Sequence, residues 1–255
     1  MTPRTRIIIV ICLFLATLAG VLFVPPIPQP ASYHGFADRR SFLGIPNFAD
    51  VMSNFGFLIV GVLGLARVFA PVGESVFVRP GDGLPYTIFF TALIGVALGS
   101  GYYHWAPDNQ TLFWDRLPMT VGFMSLFAAV IADRMDRDAG LKWMLPLLLA
   151  GGVLSLMYWR QTEASGGGDL RFYLMVQFFP LIAIPLILWL FPGHRYTRRR
   201  ELVWALAGYA AAKGVELLDS EIFVFTGGMI GGHSLKHVAA AMAAYFVVRM
   251  LGRSS

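Results

Sequence analysis

Eight long apolar runs dominate the sequence and restrict the chain to folds that place most of its length in a membrane. They cover approximately residues 6–24, 50–70, 86–105, 117–133, 142–159, 171–191, 201–218 and 234–251. Each run approaches the roughly 20 residues that an α-helix needs to cross about 30 Å of hydrocarbon. The runs are continuous, whereas strands of membrane barrels alternate apolar and polar residues. The pattern therefore predicts an all-α integral membrane protein.

Composition favours the same class of fold. Hydrophobic residues make up 56% of the 255 residues and charged residues only 14%, which is too little polar surface for a soluble domain. Cys12 is the single cysteine, so neither an intramolecular disulfide nor a CxxC metal site can form. The formal charge is +5, and the basic residues lie in short loops, where they mostly set the orientation of a membrane protein. We therefore predict no nucleic-acid partner.

Lysine and arginine residues are distributed unequally between the predicted loops. If the N-terminus is cytoplasmic, thirteen lie on the inner side, among them Arg253 and the arginines of "HRYTRRR" (194–200), five lie outside, and two lie within or beside spans. Basic loops stay on the cytoplasmic side, so we predict that both termini are cytoplasmic. Arg4 and Arg6 precede a first run that is long for a secretory signal, which favours an uncleaved signal anchor.

The last apolar run begins with a pair of histidines. "GGHSLKHVAAA" (231–241) places His233 and His237 four residues apart, and such positions share one helix face at about 6 Å. Both imidazoles can therefore reach one metal ion. On its own, this spacing fits two interfacial histidines bonded to the backbone better than a metal site.

A second polar stretch lies where the third run ends and the fourth begins. In "GSGYYHWAPDNQTLFWD" (99–115), Ser100 and His104 share a helix face, and Asp115 fits an N-cap with residues 116–118 in the first turn. A serine in a membrane helix also commonly bonds back to the preceding turn. In the predicted orientation, the ends of these runs meet the histidine pair on the outer side of the membrane. Three imidazoles suit a zinc ion that keeps one coordination position open.

Ser-x-x-x-His ending one helix, Asp opening the next and His-x-x-x-His on the last helix resemble the alkaline ceramidase family. That family belongs to a superfamily of seven-helix membrane hydrolases that includes the adiponectin and progestin receptors and a GPI-remodelling lipid hydrolase. "DVMSN" (50–54) is similar to the N-T-x-S-N stretch near the start of the family's first core helix. The resemblance implies zinc ligands and catalytic residues at His104, His233, His237, Ser100 and Asp115.

The resemblance also implies a division of the chain. We expect an N-terminal transmembrane helix over residues 1–24, an outer loop over the site at 25–49, and a seven-helix catalytic domain at 50–251. The fold class is then a seven-helix hydrolase core with one extra N-terminal helix, and the zinc site lies near the outer (periplasmic or lumenal) face.

The loop "YHGFADRRSFLGIPNFAD" (33–50) corresponds to the segment in which eukaryotic alkaline ceramidases bind calcium. It offers Asp38, Asn47 and Asp50 but also two arginines, and calcium needs several oxygen ligands. We favour a loop folded over the outer mouth, with Asp50 capping the second span. A Ca²⁺ site at these three residues is the alternative.

The expected activity is zinc-dependent hydrolysis of the amide bond of ceramide-like membrane lipids to a sphingoid base and a fatty acid. Zinc in such a site activates water and polarises a carbonyl. Asp115 is the candidate proton shuttle. Ser100 is expected to orient water or stabilise the oxyanion, without a covalent role because no base is placed to activate it.

Three alternatives stay open. The bond cleaved could be an ester or acyl bond of another membrane lipid. The protein could be a receptor with structural zinc, although three histidines without a fourth ligand favour an open site. It could also be a transporter with the histidines and Asp115 as a proton relay, which predicts broken helices or inverted repeats.

Several other polar residues accompany these motifs. Lys213 and Glu216 lie three apart and are expected to pair. Asp219 and Glu221 could orient a zinc histidine from behind. His34 lies outside the cluster and is interpreted as a solvated loop residue.

Overall fold

The computed structural model describes residues 1–71 and 75–252. Arg253, counted above on the inner side, lies outside the described residues. The described chain is helical and contains no β-strand. Its α-helices are α1 (Pro3–Phe23), α2 (Phe48–Ser53), α3 (Phe55–Val68), α4 (Leu84–Trp105), α5 (Asn109–Arg134), α6 (Leu145–Ala164), α7 (Arg171–Leu190), α8 (Arg199–Leu217), α9 (Asp219–Phe225) and α10 (Gly232–Met250). A 3₁₀ turn forms at Ala31–His34, and a π-helical segment at Ala139–Met144 leads directly into α6.

Six helical segments among the described residues are long and apolar enough to cross a membrane. They are α1, α2 with α3, α4, α5, the π-helical segment with α6, and α7. The predicted all-α, multi-pass integral membrane protein is thereby confirmed. Helices α8 and α10 have 19 residues each, but the polar and charged side chains that they carry keep them out of this set.

Two predicted caps are wrong. Helix α5 begins at Asn109, before the predicted cap at Asp115, because the Asp108 carboxylate accepts the backbone N–H of Thr111 at 2.7 Å. Asp115 therefore lies inside the helix. Asp50 likewise lies inside α2, which follows Asn47 in a left-handed conformation (φ 46°), and its carboxylate accepts a hydrogen bond from Ser234 instead.

The chain forms two compact units. The first comprises Met1–Pro30, Phe77–Phe89 and Thr120–Arg199, and the second comprises Ala31–Val76, Phe90–Met119 and Arg200–Ser255, of which 72–74 and 253–255 are not described. The division into an N-terminal helix, an outer loop and a seven-helix domain stays a prediction.

In the first unit, α7 packs against α1 and α6. Phe14 of α1 meets Phe179 of α7 edge-on at 5.8 Å. Arg171, at the start of α7, donates to the carbonyls of Val21 and Val24 at the end of α1 and forms an ion pair with Asp169 at 2.8 Å. The carbonyls that a helix end leaves unpaired are thereby partly satisfied, so one arginine ties the two helices together.

Charged residues of the first unit also hold the loop before α8. The Asp133 carboxylate accepts the backbone N–H of Thr197 at 2.8 Å. The buried Arg134 donates from Nε to the Thr197 hydroxyl at 2.9 Å and from Nη1 to the Phe191 carbonyl at 3.0 Å. Arg134, one of the thirteen basic residues predicted on the inner side, therefore also fixes a loop.

In the second unit, α10 packs against α2, α3 and α9. Two glycines let its neighbours approach closely. A Cβ on Gly208 of α8 would lie 3.0 Å from the Ala243 Cβ, and one on Gly232 would lie 2.4 Å from the Val215 carbonyl oxygen. The first turn of α10 therefore packs against the end of α8, and this is where the histidine pair lies.

Candidate metal centre

Three histidines of the second unit face one another. His104 lies in the last turn of α4, and His233 and His237 lie in the first turns of α10. Their ring centroids are 4.8 to 5.0 Å apart, and one nitrogen of each ring lies within 4.8 Å of the others. All three side chains are buried. The group can hold a metal ion, as the sequence predicted.

The environment of His237 leaves one ring nitrogen available for an ion. Its Nδ1 lies 2.8 Å from the Ser53 hydroxyl, which donates in turn to the Asp50 carbonyl at 3.0 Å. With the serine proton directed to that carbonyl, Nδ1–H would donate to the serine oxygen and Nε2 would carry the lone pair that an ion needs. A hydrogen bond of this kind fixes the tautomer and orientation of a metal-binding imidazole.

His104 supplies a second observation that fits a metal. Its Nδ1 is buried and has no hydrogen-bond partner among the described residues. An unpaired buried polar atom is costly in a native structure. A divalent ion between the three rings would satisfy a group of neutral imidazoles of this kind.

His233 is held from two sides. Its backbone N–H donates to Asp219 Oδ1 at 2.8 Å, and its Nε2 lies 2.8 Å from Lys236 Nζ. An ion that binds His233 through Nε2 would take the lone pair that now accepts from Lys236. Lys236 would then keep its ion pair with Glu216, at 2.9 Å. The sequence alone gave no role to Lys236, although its position between His233 and His237 indicated that it would lie close to the site.

Phe36 closes one side of the three rings. It is buried, and its ring centroid lies 4.6 Å from that of His104 and 4.5 Å from that of His233. The next residue, Ala37, donates its backbone N–H to Asp219 Oδ2 at 2.9 Å. Asp219 thus joins the Phe36 segment to the start of α10 through backbone groups and does not contact the imidazole of His233.

Ser100 and Asp115 meet beside the histidines. The Ser100 hydroxyl donates to the Asp115 carboxylate, and Ser100 lies one helical turn before His104. The close approach of α4 and α5 depends on Gly99, where a Cβ would lie 2.1 Å from the Trp114 carbonyl oxygen. Pro118 has no N–H to donate to that oxygen.

The residues of the candidate calcium site contact separate partners. Asp38 forms an ion pair with Arg40 at 2.6 Å, which lowers the pKa of this loop carboxyl. Asn47 donates to the His104 carbonyl at 2.8 Å. Asp50 Oδ1 accepts from Ser234 at 2.6 Å. Asn47 thus supports the last turn of α4, and Asp50 joins α2 to α10. The calcium site stays a prediction.

Two further expectations have clear outcomes. The pairing of Lys213 with Glu216 is confirmed. The interpretation of His34 as a solvated residue is wrong, because its Nδ1 lies 2.9 Å from the Tyr103 hydroxyl and its Nε2 lies 2.9 Å from Asn109 Oδ1. His34 therefore links the 3₁₀ turn to α4 and α5.

Part of the chain is similar to a known membrane protein. No family model matches the chain. The chain is 25% identical over 117 residues to the minor myo-inositol transporter IolF of Bacillus subtilis (strain 168), which is 41% of this chain and 27% of that protein. The chain thus spans about a quarter of that relative. The likeness agrees with a multi-pass membrane protein.

Proposed function

We propose that the chain is a zinc-dependent membrane hydrolase that cleaves the amide bond of ceramide-like lipids to a sphingoid base and a fatty acid. The observation that carries the proposal is the convergence of three buried imidazoles from α4 and α10. The resemblance of the same residues to the alkaline ceramidase family supports the choice of bond. In this proposal, residues 50–251 form a seven-helix core, and α1 is an additional N-terminal span.

The donor set is suited to zinc, with His104, His233 and His237 as the ligands. Zinc bound there would supply an activated water and a positive charge for the carbonyl oxygen. The hydrogen bond of His237 to Ser53 keeps its ring oriented. Phe36, packed on two of the rings, excludes water from that side.

Asp115 is the proposed proton shuttle. Hydrolysis adds the oxygen of water to the carbonyl carbon and breaks the carbon–nitrogen bond, so one proton must pass from water to the leaving amine. A carboxylate can accept and then return that proton. Ser100 donates to this carboxylate and so holds it in one orientation. In this proposal, water is the nucleophile and Ser100 forms no covalent bond with the substrate.

The same chemistry would serve an ester or acyl bond of another membrane lipid. A second candidate is a transporter, favoured by the partial similarity to a myo-inositol transporter. In that case the histidines and Asp115 form a proton relay. A receptor with structural zinc is the non-enzymatic alternative. The transporter does not explain why the buried Nδ1 of His104 has no protein partner among the described residues as directly as a metal site does.

The proposal is tested by incubating purified protein with a panel of N-acylated sphingoid bases and glycerolipids, with and without a zinc chelator. Mass spectrometry measures the released fatty acid. We expect release from N-acyl lipids that stops with the chelator and returns with zinc. Release from glycerolipids alone would favour the ester alternative. Absence of release from the whole panel, together with myo-inositol uptake by proteoliposomes, would favour the transporter.

A further inference from the structure

The first unit contains a cavity of about 350 Å³ that the proposed reaction does not use. Residues at the start of α4, at the end of α5 and in the loop before α8 line most of it. Its volume is in the range of small-molecule sites, about 300–1,000 Å³. Four arginines and three aspartates contribute to the lining, so the cavity is strongly polar and nearly balanced in charge.

Most of the charged lining residues are held by hydrogen bonds within the protein. The Asp82 carboxylate accepts from Arg137 Nε and from the Tyr196 hydroxyl, both at 2.6 Å. Asp133 accepts the backbone N–H of Tyr196 at 3.1 Å, and Arg134 donates to the same loop, as described above. These bonds connect the start of α4, the end of α5 and the loop. The walls are therefore fixed without any ligand.

Two exposed charged residues of the lining keep their charges available. The guanidinium of Arg79 has neither a hydrogen bond nor an ion pair with any described residue. Asp136 Oδ1 accepts the backbone N–H of Ala139 at 2.7 Å, but its carboxylate has no cationic partner within residues 1–71 and 75–252. Arg79 and Asp136 do not pair with each other either. The cavity thus offers both a cation and an anion to a ligand.

A ligand that carries both charges matches this pair of residues. Guanidinium groups form strong hydrogen bonds with phosphate oxygens, and a carboxylate accepts from an ammonium group. A ligand with negative charge alone would meet the three aspartates as well as the arginines. The near balance of charge therefore favours a zwitterion over a simple anion.

The position of the cavity indicates where such a ligand comes from. Helices α4 and α5 both belong to the set of apolar spans, and the cavity lies where the first begins and the second ends. Lipid headgroups lie at the ends of spanning helices, outside the hydrocarbon core. Pro85, Met135 and Leu141 add apolar surface to the lining, which suits the glycerol end of a lipid.

We propose that this cavity binds the zwitterionic headgroup of a membrane phospholipid that carries a phosphate and a primary ammonium. Arg79 binds the phosphate, and Asp136 binds the ammonium. The predicted orientation of the chain assigns this lipid to the inner leaflet. The lipid is a ligand of the first unit and is not the substrate of the metal centre.

The test measures binding. Isothermal titration of the full-length protein in neutral detergent compares dihexanoyl phosphatidylethanolamine, dihexanoyl phosphatidic acid, dihexanoyl glycerol and the soluble headgroup glycerophosphoethanolamine. The variants are Arg79→Gln and Asp136→Asn. Arg67→Gln and Asp138→Asn are the matched controls, because both residues are exposed and neither lines the cavity.

We expect wild-type protein to bind phosphatidylethanolamine more tightly than the other three probes. Asp136→Asn should weaken this binding about tenfold, the size of one lost charge-assisted hydrogen bond, and should not weaken binding of phosphatidic acid, which has no ammonium. Arg79→Gln should weaken binding of both lipids about tenfold. Both controls should bind like the wild type. Retained binding of phosphatidic acid also shows that Asp136→Asn is folded.

Three results would overturn the proposal. Tighter binding of phosphatidic acid than of phosphatidylethanolamine by the wild type would indicate a plain anion site. An Asp136→Asn variant that loses both lipids equally, or neither, would show that the ammonium is not recognised. Equal affinity for glycerophosphoethanolamine would assign the cavity to a soluble ligand. Lipid hydrolysis is not measured, so none of these results depends on the proposed reaction.

Discussion

At the scale of single residues, the metal centre depends on hydrogen bonds that place each imidazole. The His237 ring is held by a hydrogen bond with Ser53, a residue 184 positions earlier in the chain. His233 is anchored through its backbone by Asp219. His104 belongs to a turn whose carbonyl accepts from Asn47. Each ring is therefore oriented before any ion binds, which lowers the cost of assembling the site.

Replacement of His104, His233 or His237 by alanine should remove the bound metal. We expect about one zinc per wild-type chain and a loss of most of it in each variant, because two ligands hold zinc far less well than three. Inductively coupled plasma mass spectrometry after gel filtration measures the content. His194→Ala, at an exposed loop position, is the control. Unchanged metal in all three variants would refute the site.

Asp115→Asn should keep the metal and lose most of the turnover. An amide cannot carry the proton, and loss of a general acid–base group costs about 10²–10⁴-fold in rate. Asp108→Asn is the matched control, because Asp108 is an exposed carboxylate near the same helix start and asparagine also caps helices. Full activity of Asp115→Asn would assign the proton transfer to another group.

At the scale of helices, small residues and polar helix ends determine how closely neighbours approach. Gly99 lets α4 lie against the Trp114 carbonyl of α5, and this contact brings Ser100 to Asp115. In the first unit, the long side chain of Arg171 connects two helices by donating hydrogen bonds to carbonyls at the end of α1. The contact between Gly99 and Trp114 thus sets the positions of Ser100 and Asp115, the residues that follow them in the sequence.

Gly99→Ala should destabilise the protein, whereas Gly101→Ala should not. A Cβ at Gly99 would overlap the Trp114 oxygen, while one at Gly101 meets nothing within 4 Å. Overpacking costs about 1–3 kcal/mol. The thermal unfolding midpoint in detergent measures both variants. Equal midpoints would show that α4 and α5 can separate at no cost.

The ion pair of Asp169 with Arg171 should make stability depend on acid pH. Hydrogen bonds from Arg171 lower the pKa of this loop carboxyl from 3.8 to about 2. A group with a lowered folded-state pKa stabilises the fold above its unfolded pKa, and this contribution is lost as the pH falls through the folded value. The stabilisation should therefore disappear between about pH 4 and pH 2.

Asp169→Asn isolates this contribution. The variant should unfold at a lower temperature than the wild type at pH 7 and show a smaller decrease between pH 5 and pH 2.5. Asp138→Asn, which removes an exposed pair with Lys142, should follow the wild-type curve, since exposed pairs contribute little. Parallel curves for wild type and Asp169→Asn would contradict the assignment.

At the scale of the whole molecule, two of the helices that carry the candidate site lie outside the set of six apolar spans. Lys213 and Glu216 lie in α8, and His233, Lys236 and His237 lie in α10. Neither helix belongs to the set of six that hydropathy identifies. Ionisable residues at membrane depth are expensive and mark functional sites, so the weak hydropathy of these two helices is consistent with a function at their shared end.

Cysteine labelling should define the orientation of the chain. In a Cys12→Ala background, a cysteine at Ala106 should react with an impermeant reagent from outside, and one at His194 only after the membrane is opened. Both positions are exposed. The excess of basic residues near the second loop predicts its cytoplasmic location. The reverse labelling pattern would invert the topology and place the metal centre at the inner face.

The sequence by itself determined the membrane class, the helices and the shared face of His233 with His237, because apolar length and the i, i+4 relation are local properties. The sequence also predicted His104 as their third partner, through the resemblance and the predicted orientation, and the structure brings the three rings together. Only the tertiary structure decided that Lys236 contacts His233 and Glu216 together and that Ser53 contacts His237. It also moved Asp115 from a predicted cap into the interior of α5, since Asp108 forms the competing hydrogen bond. Most of these outcomes depend on contacts between distant parts of the chain, and such contacts leave no periodic trace in the sequence.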